Sequence, residues 1–228
     1  MGSNPAGITS NEKNPPFLFF NFLIFNLIAQ NFIGIANVGL NISQVDGDEI
    51  YGFRKFGANI GPSVMYSFGK NKQWQIFLET NFSQKGSYQK YPNSYIDTMK
   101  LPYYNLRLNY VEIPFLLLYN DKNLVSFGGG FSYGRLTNAK EYEYGNLINY
   151  NTLRGPYDAD DFEIIAEVRF RIYQKLYGNI RYSYSIDKIR TRNYDNGIDQ
   201  WTRDQYNNVI SIRLLWYFNQ KQEDKVNK

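Results

Sequence analysis

Nine charged residues fall within otherwise apolar stretches, most of them at alternate positions: Glu79, Arg107, Glu112, Glu163, Glu167, Arg169, Arg171, Arg181 and Arg213. In an extended chain, residues of one parity share one face. Carboxylates and guanidinium groups crowded onto a water-poor face must pair, because an unpaired buried charge costs several kcal/mol. The chemistry this set offers is therefore ion pairing. Catalysis has little to draw on. The 228 residues contain neither histidine nor cysteine, which removes the imidazole base and the thiolate nucleophile. A Ser/Lys or Asp/Asp mechanism stays formally open, but no such residues cluster at motif spacing. The expected catalytic set is empty, and no cofactor is expected.

Two acidic loops invite a metal reading: Asp46, Asp48 and Glu49, and then Asp158, Asp160 and Asp161. Calcium takes six to eight oxygen ligands at a recognisable spacing. Neither loop has the full spacing. A weak Ca²⁺ site is left open, but a solvated loop is the plainer reading and no metal site is assigned. Loop aromatics form another group. Tyr142, Tyr144, Tyr150 and Tyr157 lie in one polar stretch, and Tyr194 and Trp201 in a second. Tyr and Trp are efficient contact residues for partners. They also serve ordinary loop packing, and both readings stand.

The elements that must position these residues show a period of two. Phe32, Gly34, Ala36, Val38, Leu40 and Ile42 oppose Asn37, Gly39, Asn41 and Ser43. Ile60, Val64, Tyr66 and Phe68 oppose Asn59, Gly61, Ser63 and Ser67. Trp74, Ile76, Leu78 and Phe82 oppose Gln75, Glu79, Asn81 and Ser83. In the fourth segment Leu106, Leu108 and Tyr110 oppose Asn105, Arg107 and Asn109. The phase then shifts, setting Ile113, Phe115, Leu117 and Tyr119 against Glu112. An extra residue near Tyr110 and Val111 would explain this as a β-bulge. A fifth segment sets Val125, Phe127, Phe131 and Tyr133 against Ser126, Gly128, Gly130 and Ser132. Three more follow: Phe162 to Ile172 at even positions against Glu163, Glu167, Arg169 and Arg171; Ile180, Tyr182, Tyr184 and Ile186 against Asn179, Arg181, Ser183, Ser185 and Asp187; Ile210, Ile212, Leu214, Trp216 and Phe218 against Ser211 and Arg213. Alternation of this length predicts strands, since helical spacing would scramble both faces. The expected fold class is all-β, an eight-stranded antiparallel up-and-down transmembrane β-barrel.

Alternation alone also fits a soluble lipocalin-like carrier, whose apolar face points inward. Loop lengths favour the membrane barrel. Connections at 69–72, 120–123 and near Gln174 are short, whereas 44–55, 87–103, 138–160 and 188–205 are long. Short turns on one rim and long loops on the other are the pattern of outer-membrane barrels. Tyr66, Phe68, Trp74, Tyr119, Trp216 and Phe218 fall near the short-turn ends, where an interfacial girdle belongs. No apolar run after residue 30 approaches the ~18 residues of a membrane helix, and a barrel needs none. The absence of histidine also removes barrel acyltransferase and lipid A deacylase chemistry, which needs an imidazole base. In a barrel of this size side chains fill the interior. The nine charges are expected to line the lumen as an Arg–Glu network: a static plug, with a selective pore or gate as the other reading.

Residues 17–28 read FLFFNFLIFNLI after Lys13 and before Ala29, as a secretory leader does. Expected boundaries are a signal peptide at 1–29, the barrel at 30–218 and a polar tail at 219–228. The net charge is +4, but Lys and Arg form no stripe, so nucleic acid is not an expected partner.

Several strings resemble a known family. GLNISQVDGDEIYGFRKFGANIG at 39–61, FLETNFSQKGS at 77–87 and LRLNYVEIPFLLLY at 106–119 are similar to PorT-like outer-membrane β-barrel proteins of the Bacteroidetes. The resemblance is specific over about 39–134 and continues as pattern thereafter. It implies an outer-membrane barrel without catalytic residues. Some members assist type IX secretion. The partners implied are outer-membrane lipid, the barrel assembly machinery, which would read the aromatic last strand, and secretion-system proteins. A small passive pore or solute-binding barrel remains the alternative.

Overall fold

The alternating segments form twelve strands in the computed structural model, which describes residues 32–90, 103–122, 124–148, 155–195 and 197–219. The expected signal peptide and nearly all of the expected tail lie outside the described residues. The strands are β1 (Phe32–Asp46), β2 (Lys55–Phe68), β3 (Trp74–Glu79), β4 (Asn81–Lys85), β5 (Tyr88–Lys90), β6 (Tyr103–Asp121), β7 (Val125–Glu143), β8 (Asn146–Ile148), β9 (Asp160–Tyr173), β10 (Leu176–Ser185), β11 (Arg190–Asp195) and β12 (Gln200–Tyr217). Residues 33–228 form a compact unit of their own.

Several short strands are pieces of one stave. β3, β4 and β5 all pair with β6, interrupted at Thr80 and Gly86. The break at Thr80 keeps its ladder, since Thr80 N donates to Pro62 O at 3.0 Å. β10 and β11 both pair with β12, and β8 is a hairpin extension of β7. Eight antiparallel staves result, and the ring closes where β1 pairs with β12 from Ile35↔Tyr217 to Asp46↔Tyr206. Closure leaves the spanning strands without an edge, which hydrocarbon requires. Much of what reads as long loop is strand: β11 with the start of β12, β7 with β8, and β5 with β6 rise as hairpins on one rim. The opposite rim has tight turns, helped by Gly69 at φ 91° and Lys72 at φ 53°.

Burial along the strands runs opposite to that of a water-soluble core. Leu40 and Ile212 are 57% and 53% exposed, whereas their neighbours Asn41 and Arg213 are 0% and 1% exposed. The apolar face therefore points outward and the polar face inward. The lipocalin-like alternative requires the reverse. On β9 the outward residues from Phe162 to Ile172 make ten steps. At about 3.3 Å per step and a tilt near 40°, they cover about 25 Å, the height of a lipid-facing band. Aromatic pairs mark both edges: Trp74 against Tyr119 with centroids 5.2 Å apart, and Tyr133 against Phe162 at 5.2 Å.

Val168 is 43% exposed and lies mid-band on β9. Val168→Arg turns a cation toward hydrocarbon and is expected to cost about 2–4 kcal/mol. Urea unfolding in lipid vesicles measures this. An unchanged midpoint would mean that the outward face is not in lipid.

The fourth segment corrects one expectation. Leu106, Leu108 and Tyr110 point inward with Glu112, Leu116 and Leu118, so β6 keeps a single phase. A bulge does exist, but on the partner strand. Asn109 opposes Asn138 and Tyr110 opposes Leu136, leaving Thr137 of β7 as the extra residue. Its hydroxyl donates to Asn109 O at 2.9 Å.

The interior is layered along the barrel axis. A floor of Ile35, Met65, Phe77, Leu116, Leu118, Tyr177, Leu215 and Tyr217 lies toward the short turns. A second apolar layer lies toward the long hairpins, with Val45, Tyr104, Leu106, Leu108, Tyr110, Leu136 and Ile189. The charged residues occupy the space between.

Candidate functional site

The lower charged layer is built by β3, β9, β10 and β12. Arg181 is the direct cross-strand partner of Glu167, and Asn179 that of Arg213. Inward residues opposed in this way lie within side-chain reach. Glu79 accepts from Arg169 at 2.8 Å, Arg181 at 2.9 Å and Arg213 at 3.0 Å. Glu167 accepts from Arg169, from Arg181 Nε at 2.5 Å and from Arg213 at 2.9 Å. Asn81 Nδ2 donates to Glu79 at 3.0 Å, and Arg213 Nε donates to Asn179 at 2.7 Å. The Arg169 guanidinium also lies 3.6 Å from the Phe77 ring centroid. Each of the three guanidinium groups bridges both carboxylates, which fixes geometry as well as charge. Gly39 makes room for the network. It sits opposite Arg213, and a Cβ there would lie 2.6 Å from the Arg213 Cγ.

The upper charged layer centres on Lys85. Its ammonium lies 2.5 Å from Glu112, 2.6 Å from Glu163 and 3.5 Å from Asp161. Asn207 Nδ2 donates to Asp161 Oδ2 at 2.8 Å. The two layers differ in sign. With every group ionised, three Arg and two Glu leave the lower layer at +1, while one Lys and three carboxylates leave the upper at −2. None of these nine side chains is more than 6% exposed. A water-filled channel past them would wet them, so they fill the lumen.

Two of the expected network residues lie elsewhere. Arg107 is exposed on the outer surface of β6, with its guanidinium 5.6 Å from the Tyr142 ring centroid. It points outward because β6 keeps one phase through Tyr110. Arg171 is exposed at the short-turn rim and donates through Nε to Gln174 O at 3.0 Å. It stands opposite Tyr177, one residue before the bulge at Ile172, where the strand has reached the open rim and no longer lines the packed lumen. Glu79, Glu112, Glu163, Glu167, Arg169, Arg181 and Arg213 all face inward and are brought together in the two layers.

Sequence reasoning missed Lys85 and Asp161 as lumen residues. Their parity was available: Lys85 continues Glu79, Asn81 and Ser83, and Asp161 precedes Glu163. It also missed a third cluster at the mouth. Glu141 accepts from Tyr104 at 2.9 Å, Tyr157 at 3.0 Å, Arg190 at 2.8 Å and Arg192 at 3.2 Å. No alternation signal reaches Arg190, because residues 186–189 interrupt the stave.

The loop aromatics divide. Tyr157 is buried within the mouth cluster, which favours loop packing over partner contact for this residue. Tyr194 stacks on Trp201 with centroids 5.8 Å apart, and Trp201 Nε1 donates to Glu49 at 2.8 Å. Tyr142 lies on β7 rather than in a loop, and its ring faces Tyr103 at 6.5 Å. Tyr144 is exposed at the β7–β8 turn with φ 50°. Tyr150 lies outside the described residues. Among the described residues, no cluster of acidic side chains has a metal-holding arrangement. In the first acidic loop, Asp48 Oδ1 accepts from Ile50 N at 2.8 Å, and burial pushes its carboxyl up to about 6.

A closed ring of eight antiparallel strands, apolar outside and charged within, defines an outer-membrane β-barrel protein. The chain belongs to the Outer membrane protein beta-barrel domain family, whose model matches residues 29–190. Its place is the outer membrane. Similar solved structures include Ail, the attachment invasion locus protein of Yersinia pestis, at 14% identity and TM-score 0.47, covering 82% of this chain and 99% of that one. The outer membrane protein OprG from Pseudomonas aeruginosa is 12% identical at TM-score 0.42, covering 83% of this chain and 97% of that one. No curated protein matches the chain significantly.

Proposed function

We propose that this barrel is a non-enzymatic, non-conducting outer-membrane protein that supports envelope assembly or protein secretion through contacts made at its rims. The observation that carries this reading is the filled lumen: both charged layers are buried and ion-paired across the barrel. A barrel that passes no solute acts through its surface. The hairpins on the long-loop rim supply that surface, with Tyr144 and Leu147 exposed on the β7–β8 hairpin. The kinship with PorT-like proteins suggested by 39–61, 77–87 and 106–119 agrees with a role beside a type IX-like secretion system. The barrel assembly machinery is the expected partner during insertion.

Deleting the gene and comparing cell-surface, periplasmic and medium fractions tests the proposal. Secreted surface proteins are expected to fall at the surface and to accumulate as periplasmic precursors, with wild-type protein restoring them. Unchanged surface proteins together with impaired solute uptake would favour the passive pore instead.

A further inference from the structure

Several outward-facing cations at the long-hairpin rim are paired. Arg135 meets Asp160 at 2.5 Å, Lys188 meets Asp204 at 3.4 Å, and Arg203 meets Glu49 at 3.9 Å. Arg107 and Lys140 differ. They are directly opposed on β6 and β7, and both are exposed. Among the described residues neither has a carboxylate partner. Like charges directly opposite one another on a sheet destabilise the strand pair. A third cation adds to the field: Lys55, whose Nζ donates to Asn105 Oδ1 at 2.7 Å, lies within electrostatic reach of Arg107. The aromatic rings of Tyr88, Tyr103 and Tyr142 flank the site in a row.

The height of the pair on the barrel narrows its ligand. Val111, 39% exposed, is the first outward apolar residue of β6 below it. Arg135 and Asp160 lie level with Val111 and mark where hydrocarbon ends. Arg107 is four residues further up, about 10 Å along the membrane normal at ordinary strand rise and tilt. Cations with aromatic neighbours at that level lie among lipid headgroups.

We infer that Arg107 and Lys140 form a binding site for a phosphate group of an outer-leaflet glycolipid. The phosphate would bridge the two cations and cancel their repulsion. The guanidinium supplies paired N–H donors and the ammonium a point charge. Lys55 adds long-range attraction, and the tyrosines contact the sugar and acyl boundary.

Binding of purified lipopolysaccharide to the refolded full-length barrel tests the site. R107Q/K140Q is compared with K188Q/R203Q, which removes two paired cations from the same rim. Both are first checked for the heat-modifiable gel shift of a folded barrel. At about fivefold per surface cation, R107Q/K140Q is expected to bind about thirtyfold more weakly, and K188Q/R203Q to bind like the unmutated protein. Enzymatically dephosphorylated lipopolysaccharide should bind the unmutated barrel about as weakly as intact lipopolysaccharide binds R107Q/K140Q. Equal loss in the two double variants would reduce the effect to bulk charge and overturn the site. Undiminished binding of the dephosphorylated form by unmutated protein would overturn it too, even if a variant failed to fold.

Discussion

Glu79→Gln is expected to lower the stability of the barrel in lipid by about 3–5 kcal/mol, the cost of leaving buried charges uncompensated. Glu79 is fully buried and accepts from Arg169, Arg181 and Arg213 at once. The substitution keeps volume and some hydrogen bonding but deletes the charge. Three guanidinium groups then share Glu167 alone, and the layer moves from +1 to +2. Adding Arg181→Gln removes one of those cations and should recover part of the loss. A double-mutant cycle read by urea unfolding in vesicles separates that coupling from the two single effects. Simple additivity would mean that the two residues do not act as a pair.

Lys85→Met is expected to have an effect of the same size for the opposite reason. Lys85 is the ammonium that Glu112, Glu163 and Asp161 share. Methionine fills similar space and leaves three carboxylates facing one another in the upper layer. The expected loss at neutral pH is about 3–5 kcal/mol. The conservative Lys85→Arg keeps the charge and should lose less. Equal losses for Met and Arg would place the cost in packing rather than in charge.

The two substitutions also show what could be read from the chain. Residues 161, 163, 167 and 169 share one parity on β9, and alternation alone assigns them to the inner face with Glu79 and Arg213. That works within the band where the barrel is surrounded by lipid, because there polar means inside. Above the band the outside is headgroup and water and the inside is a small apolar core. The rule then inverts, and Leu106, Leu108 and Tyr110 point inward while Arg107 points out. The chain pattern changes at Tyr110 because the surroundings change, not because the strand slips. The true bulge, at Thr137, leaves no mark of its own on β6. Arg171 keeps the pairing phase of Glu167 and Arg169 but lies at the open rim, and a period of two does not show where the packed lumen ends. The mouth cluster joins Glu141 to Arg190, far apart in sequence and brought together by hairpins rising above the membrane. No short-range period connects them.

The central claim is that the lumen is closed by its own charges, and planar-bilayer recording tests it most directly. Refolded, unmutated protein inserted into a bilayer in molar salt should show no discrete conductance steps at voltages where a water-filled barrel would conduct. A large, stable, reproducible conductance from the unmutated protein would contradict the filled lumen and return the barrel to the pores.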